Sequence, residues 1–458
     1  MHISALKNAQ VGIWGAGREG AAALRALRAY AAPTEITVVT DQPPSAAERA
    51  RCETSSEVRF VWGDQGIAAL LRCDVVIRSP GVSVYRPEHA ELVTAGVSMT
   101  TGTNLWFAEH ADELVIGVTG TKGKSTTAAL LAHALARLGI RAPMVGNIGQ
   151  PLLDWLRPES PPDAWVVELS SYHTADIRFT PRVGVLLNLS REHLNWHGTE
   201  ERYYRDKLNL FAHRADGQAV LNWRDHQVRS YAGHLPAVTW FGRGDGYSER
   251  NREIWHADRP FLPAGSLPLP GRRNVENACA ALAALNVAGW NVTDPDVFRG
   301  FHPLPHRLEI VAEGDGLIFV DDSIATTPKA TLAALDAFAG RPIAVLVGGQ
   351  DRRQDYTELA DMIIHSADVR AVVALPDNGL RVLSQIRAQP GELGCAAQLF
   401  DARNLEEAVA TAVRSLPDGG VVLLSPGAPS FGHFRDFEER GERFAEAARR
   451  AIGHKPPP

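Results

Sequence analysis

The chain has 458 residues, 45% of them hydrophobic and 22% charged, with a formal net charge of −6. The length suits about three domains, and no stretch reaches the roughly 18 unbroken apolar residues that a membrane span needs. The acidic balance and the lack of a long basic run exclude nucleic acid as the main partner, and no membrane partner is expected. Cys52, Cys73, Cys279 and Cys395 are too widely spaced for a disulfide framework or a zinc pattern. No basic and apolar leader precedes Gln10, so a reducing cytoplasm is the expected compartment. The Pro-rich end, Lys455–Pro458, is the one low-complexity tract.

In chain order, Gln10–Trp14 reads as a strand that leads into Gly15-Ala16-Gly17-Arg18-Glu19-Gly20 and then an Ala/Leu/Arg helix to about residue 31. This is G-x-G-x-x-G between a strand and a helix, where backbone N–H groups and the helix dipole hold a nucleotide diphosphate. A second strand over 36–40 ends at Asp41, where an acid of this fold meets a ribose. By itself the motif does not separate a nicotinamide cofactor from another nucleotide, so an NAD(P)-dependent oxidoreductase is one reading. Residues 73–78 form a buried strand ending in Ser79-Pro80-Gly81-Val82, a turn at the ligand-binding edge of the sheet.

The apolar run Leu114–Val118 breaks into Thr119-Gly120-Thr121-Lys122-Gly123-Lys124-Ser125-Thr126-Thr127 and continues as a helix. The glycines admit phosphate oxygens, Lys124 adds a charge, and Ser125 or Thr126 offers a hydroxyl to magnesium. The spacing is not G-x4-G-K-[ST], since five residues separate Gly117 from Gly123. A strand over 164–167 delivers Glu168 beside this loop, where a carboxylate can hold magnesium. The strand over 183–189 delivers Ser190-Arg191-Glu192-His193, and His193 is a candidate for a second metal site, while His197 reads as a helix cap. In the polar helix 200–211, Lys207 reads by pattern alone as a surface lysine. Gly271-Arg272-Arg273-Asn274-Val275-Glu276-Asn277 then opens another helix.

A strand beginning at Pro305-His306-Arg307-Leu308-Glu309 is expected to continue through Leu317–Val320 to Asp321-Asp322-Ser323-Ile324-Ala325-Thr326. Strands over 343–347 and 421–424 end at Gly348-Gly349-Gln350-Asp351-Arg352-Arg353 and at Ser425-Pro426-Gly427-Ala428-Pro429-Ser430. A helix from Phe434 carries Phe437 and Phe444, whose spacing suits core packing.

T-G-T-x-G-K-S-T-T, V-G-N-I-G-x-P, V-x-E-L-S-S-Y, N-L-S-x-E-H-L-x-x-H-G and Y-x-x-x-K-x-x-L-F follow one another across this chain. In this order they resemble the Mur ligases, ADP-forming amide ligases of peptidoglycan synthesis, and specifically their glutamate-adding, MurD type. The resemblance covers essentially the whole chain. It implies an α/β fold of three domains: a Rossmann-like UDP-sugar domain over 1–106, a central P-loop-type mononucleotide-binding domain over 107–304, and a Rossmann-like C-terminal domain over 305–458.

By the same resemblance, ATP and two magnesium ions are expected, with Ser125, Glu168, His193 and a carbamylated Lys207 around the metals. A carbamate turns a cation into a carboxylate analogue, which is how a lysine can serve a magnesium site. Asn147, Ser171 and His193 are implied along the muramoyl-alanine path, and Ser79-Pro80-Gly81 at the UDP-sugar. Asn274 and Asn277 are implied near adenine, Arg307 at the γ-phosphate and Asp322 at the ribose. Ile324, Thr326, Arg352, Ser430 and Phe437 fall at the glutamate pocket. Four places depart from the pattern: the usual acid is missing from Thr101–Phe107, Arg273 replaces a His, Ile324 replaces a Lys, and Arg352-Arg353 stand where a Lys or a small residue is usual. Because Ile cannot pair with a carboxylate and Arg352 offers a fork where Lys offers a point charge, L-glutamate is favoured over D-glutamate. That choice implies a separate epimerase in the pathway. A monomer is expected.

Overall fold

Short aliphatic runs that end in glycine-rich loops and feed Ala/Leu-rich helices bury both faces only as parallel sheets covered by helices. The computed structural model describes residues 1–52, 58–214, 216–235, 237–388 and 397–453, and they contain three such sheets. Cys395 and the Pro-rich end lie outside the described residues.

The first sheet holds β1 (Gln10–Trp14), β2 (Glu35–Thr40), β3 (Arg59–Trp62), β4 (Val75–Arg78) and β5 (Ser98–Thr101). Its order is β3-β2-β1-β4-β5, all parallel. Strand order reverses between β1 and β4, so the loops that follow these two strands diverge over a crevice. The helix Arg18–Tyr30 lies so close to β1 that a Cβ on Gly20 would sit 1.9 Å from the Gly15 carbonyl oxygen.

The second sheet holds β6 (Val115–Thr119), β7 (Met144–Gly146), β8 (Trp165–Glu168), β9 (Val183–Leu186), β10 (Gln218–Asn222) and β11 (Val238–Phe241). In the parallel order β11-β10-β9-β6-β8-β7, the wholly buried β6 has β8 and β9 as neighbours. A small antiparallel sheet follows, β12 (Tyr247–Arg250), β13 (Glu253–His256) and β14 (Arg259–Pro263). The sequence reading does not include it. Its first turn is made by Asn251 and Arg252, both left-handed (φ 52° and 63°), with no glycine to mark it.

The third sheet holds β15 (Glu309–Gly314), β16 (Leu317–Asp321), β17 (Ile343–Val347), β18 (Val369–Ala374), β19 (Gln398–Asp401) and β20 (Gly420–Leu424), in the order β15-β16-β20-β17-β18-β19. The continuous strand expected from 305 to 320 is instead a hairpin. Asp315 and Gly316 (φ 54° and 78°) turn the chain between Gly314 and Leu317, which pair. Asp-Gly between strands is the strongest short hairpin signal, because both turn positions need positive φ. The last helix starts at Phe437 rather than Phe434, and Phe444 is fully buried as the core reading expects.

The three sheets fall into two compact units. The first comprises residues 1–266 and 276–299, the second 267–275 and 300–458. Within the first unit the first two sheets share one hydrophobic core, where Trp106 meets Trp165 edge-on at 5.1 Å. Among the described residues no helix is long and apolar enough to cross a membrane.

Candidate functional site

A cleft of about 590 Å³ opens at the crevice of the first sheet. Gly15, Ala16, Gly17 and Arg18 form one wall, Ser79, Pro80 and Gly81 another, and Asp41 and Asn147 also line it. A Cβ on Gly15 (φ 109°) would meet Ser79 at 2.8 Å, so a bare glycine lets the two walls approach. Arg18 Nη2 donates to the Gly149 carbonyl at 2.5 Å, joining this wall to the loop after β7.

The Ser79-Pro80-Gly81 turn is shaped from beneath by Arg78, which is 1% exposed. Its Nη1 donates to the Ser79 carbonyl at 3.1 Å and to the Val82 carbonyl, and its Nη2 pairs with Asp176 at 2.8 Å. Arg78→Met would strand those carbonyls and leave Asp176 without its partner. We expect a loss of about 1–3 kcal/mol of stability, the cost of leaving buried acceptors unsatisfied, since the Asp176 side chain is 29% exposed; it is read as a lower midpoint in urea unfolding.

Asp41 is engaged at the rim of the cleft. Arg86 Nη1 donates to both of its oxygens at 2.9 and 2.8 Å, and the same guanidinium lies 5.2 Å over Trp14. Sequence reasoning missed Arg86 because it stands in a loop with no motif around it.

The phosphate loop follows β6. Gly120 (φ 149°) and Gly123 (φ 89°) give it a shape that other residues resist, and the helix Lys124–Arg137 begins directly behind with its positive end at the loop. Asn188 braces it, accepting from the Lys122 N–H at 2.8 Å and donating to the Lys122 carbonyl at 2.9 Å. Thr121 Oγ1 accepts from Tyr203 Oη at 3.0 Å, and Lys122 Nζ pairs with Glu192 at 2.6 Å. Ser125 and Thr126 are buried in the first helical turn, and Asn277 packs on Gly123, where a Cβ would meet its Oδ1 at 2.4 Å.

Lys207 departs from the pattern reading: it is 1% exposed, not on the surface. Its Nζ donates to the Gly120 carbonyl at 2.9 Å, and Lys124 Nζ donates to the same oxygen at 3.1 Å. Burial, reinforced by the charge of Lys124, pushes the Lys207 ammonium well below the usual lysine range. Glu168, also 1% exposed, accepts from Asn147 Nδ2 at 2.9 Å through Oε1, while its buried Oε2 has no partner among the described residues. His193 sits in a left-handed conformation (φ 55°) with its ring 5.0 Å from that of Tyr172. Burial lowers its pKa against the opposing pull of Glu192, favouring neutral imidazole.

His197 is no simple cap. It is fully buried, with Nδ1 at 2.6 Å from Asp206 Oδ2 and Nε2 at 2.9 Å from Ser171 Oγ, and Tyr85 Oη donates to Asp206 at 2.8 Å. The Ser171 hydroxyl therefore faces His197, and it is Ser170 that lines the cleft, its Oγ 2.6 Å from His173 Nδ1. No sequence signal links these partners, which come from different turns and helices.

In the second unit, the left-handed His306 (φ 61°) is pinned by Asp321, whose Oδ2 lies 2.7 Å from its Nδ1 and raises its pKa. This fixes the backbone of the neighbouring Arg307, whose buried Nε has no partner among the described residues. Asp322 accepts from Ser425 Oγ at 2.8 Å, and burial pushes its carboxyl up to about 7. Asn274 donates to the Pro270 carbonyl at 2.6 Å. Of the glutamate-pocket candidates, Ser430 lines a small cavity, while Ile324, Thr326, Arg352 and Phe437 do not. The Thr326 carbonyl accepts from Gln354, the Phe437 carbonyl accepts from Ser323, and Arg352 is exposed.

A glycine loop at a helix start, with a lysine and a glutamate buried beside it, defines an α/β enzyme that works on nucleotide phosphates. Residues 118–285 match the Mur ligase middle domain, and residues 306–427 match the Mur ligase, glutamate ligase domain. The chain is 42% identical to the UDP-N-acetylmuramoyl-L-alanine--L-glutamate ligase of Xanthomonas axonopodis pv. citri, over 98% of this chain and 97% of that one. It is 41% identical to the protein of the same name from a Micromonospora species, over 99% of both chains. In fold it is similar to the MurF ligase of Thermotoga maritima solved with ADP (TM-score 0.61, 18% identity, 99% of this chain and 97% of that one). The MurC ligase of the same organism is a second similar fold (TM-score 0.58, 19% identity, 97% of this chain and 100% of that one). The chain belongs to the Mur ligase family, ATP-dependent ligases of peptidoglycan synthesis.

Proposed function

We propose that the protein joins L-glutamate to UDP-N-acetylmuramoyl-L-alanine while cleaving ATP to ADP and phosphate. The observation that carries this is 41–42% identity, spread over at least 97% of the chain, to proteins bearing that name. Ile324 in place of the lysine usual in D-glutamate ligases points the same way. An oxidoreductase would use the first cleft but leaves Glu168, Lys124 and Lys207 without a purpose.

In this reading the cleft at Gly15–Arg18, Asp41 and Ser79–Gly81 holds the UDP-sugar. Gly120–Thr126 and Asn277 of the first unit hold ATP, and the family resemblance gives Asn274, Arg307 and Asp322 of the second unit roles toward the same nucleotide. The alanyl carboxylate attacks the γ-phosphate, the glutamate amine adds to the resulting acyl phosphate, and phosphate leaves. Lys124 holds negative charge on the phosphate oxygens, and Arg307, with an N–H to spare, adds a second cation as charge spreads.

Two magnesium ions fit the donors present: the orphaned Glu168 Oε2, the Ser125 hydroxyl, the neutral His193 imidazole, and Lys207 as a carbamate. When bound they would neutralise phosphoryl charge. The low pKa of Lys207 supports carbamylation, because only a neutral amine adds carbon dioxide. The reading also implies a cytoplasmic monomer and a separate epimerase acting on the product.

The chemistry is tested with oxygen-18 in the alanyl carboxylate. Label in the released phosphate is expected, since the carboxylate oxygen stays on phosphorus when the amine displaces it. Unlabelled phosphate would rule out the acyl phosphate.

A further inference from the structure

The Ser79-Pro80-Gly81 turn at the first cleft is held from behind by two buried side chains, and the second of them comes from the other sheet. Arg78 Nη1 donates to the carbonyls of Ser79 and Val82. Trp196, 7% exposed, donates from its indole Nε1 to the carbonyls of Pro80 at 3.1 Å and Gly81 at 3.2 Å. All four carbonyls from 79 to 82 therefore accept from the protein side. A carbonyl oxygen aimed into the cleft would repel a diphosphate, so the two donors keep the negative ends of this wall away from an anionic ligand.

Trp196 does not line the cleft. It belongs to the short helix Leu194–His197 that follows β9, and its N–H donates to the His193 carbonyl at 3.0 Å. Tyr172, which does line the cleft, stacks on the indole at 4.9 Å and lies 5.0 Å from the His193 ring. A second tie runs in the opposite direction, where Ser83 Oγ donates to the Trp196 carbonyl at 2.7 Å. One residue thus joins the turn after β4 to the loop after β9. Packing against Tyr172 would be served by any aromatic ring. What the indole adds is a single N–H shared by two adjacent carbonyls, which fixes their orientation.

We propose that Trp196 is a positioning residue of the reaction: its indole N–H turns the Pro80 and Gly81 carbonyls away from the diphosphate of the UDP-sugar and holds that turn against the loop carrying His193. The assignment rests on the functional reading above.

The test uses the full-length enzyme. Trp196→Phe keeps an aromatic ring beside Tyr172 and loses the donor. Calorimetric titration with UDP-N-acetylmuramoyl-L-alanine, in the absence of ATP, is expected to show binding about tenfold weaker than wild type. The KM for this substrate is expected to rise alike, with kcat and the KM values for ATP and glutamate unchanged, a split that a general loss of structure does not produce. Ser83→Ala removes the tie to the Trp196 carbonyl at a half-buried position. It is expected to weaken the same binding by a smaller factor, and it serves where the phenylalanine variant does not fold. Wild-type affinity for the UDP-sugar in both variants overturns the assignment, as does a rise shared equally by the KM values for ATP and glutamate. Wild-type enzyme that does not bind the UDP-sugar overturns the functional reading and this assignment together, a result told apart by the wild-type titration alone.

Discussion

Lys207→Ala is expected to lower turnover by roughly a thousandfold, with partial recovery when formate or acetate is added. The lysine is buried under the phosphate loop, its Nζ against the Gly120 carbonyl and its pKa well lowered by burial. An ammonium there repels a divalent cation, while a carbamate supplies the carboxylate-like oxygens that magnesium prefers. Alanine leaves a cavity with the carbamate's shape, which a small carboxylate can fill. Lys207→Arg cannot be carbamylated, cannot accept the rescuing anion, and is expected to stay inactive. Initial rates with and without added carboxylate check this. Near wild-type activity in Lys207→Ala would remove the lysine from the metal site.

Lys124→Met is expected to cost two to three orders of magnitude in kcat while leaving thermal unfolding nearly unchanged. Lys124 Nζ caps the Gly120 and Thr121 carbonyls at 3.1 Å each, contacts on a partly exposed loop that water can replace. Methionine keeps the stem and removes the charge, so the loss falls on phosphoryl charge stabilisation. Phosphate release and a melting curve on the same preparation separate the two effects.

The parallel strands and their terminal loops were legible because buried β-strands read as unbroken aliphatic runs and phosphate loops need glycine at fixed places. Lys207 was not. The helix Glu200–Leu208 reads E-E-R-Y-Y-R-D-K-L; Lys207 shares a face with Tyr203, Tyr204 and Leu208, but a charged side chain there reads as solvated, and its burial depends on a partner, the Gly120 carbonyl, 87 residues away. The same is true of His197, matched to Ser171 and Asp206, and of Arg78, which shapes the Ser79–Gly81 turn from below. Pairings between elements leave no periodic trace. The hairpin at Asp315-Gly316 is legible from its turn residues, although the aliphatic pattern on either side reads as one continuous strand. The family motifs imply a metal role for Lys207 where pattern alone puts it on the surface, and its burial corrects the surface reading.

The most direct test of the proposed reaction is phosphate release from ATP and magnesium in the presence of UDP-N-acetylmuramoyl-L-alanine, with L-glutamate and D-glutamate compared at equal concentration. Release that depends on L-glutamate, with little or none for D-glutamate, is the predicted result. Release with D-glutamate alone would contradict it and make Ile324 a tolerated replacement in an ordinary D-glutamate ligase.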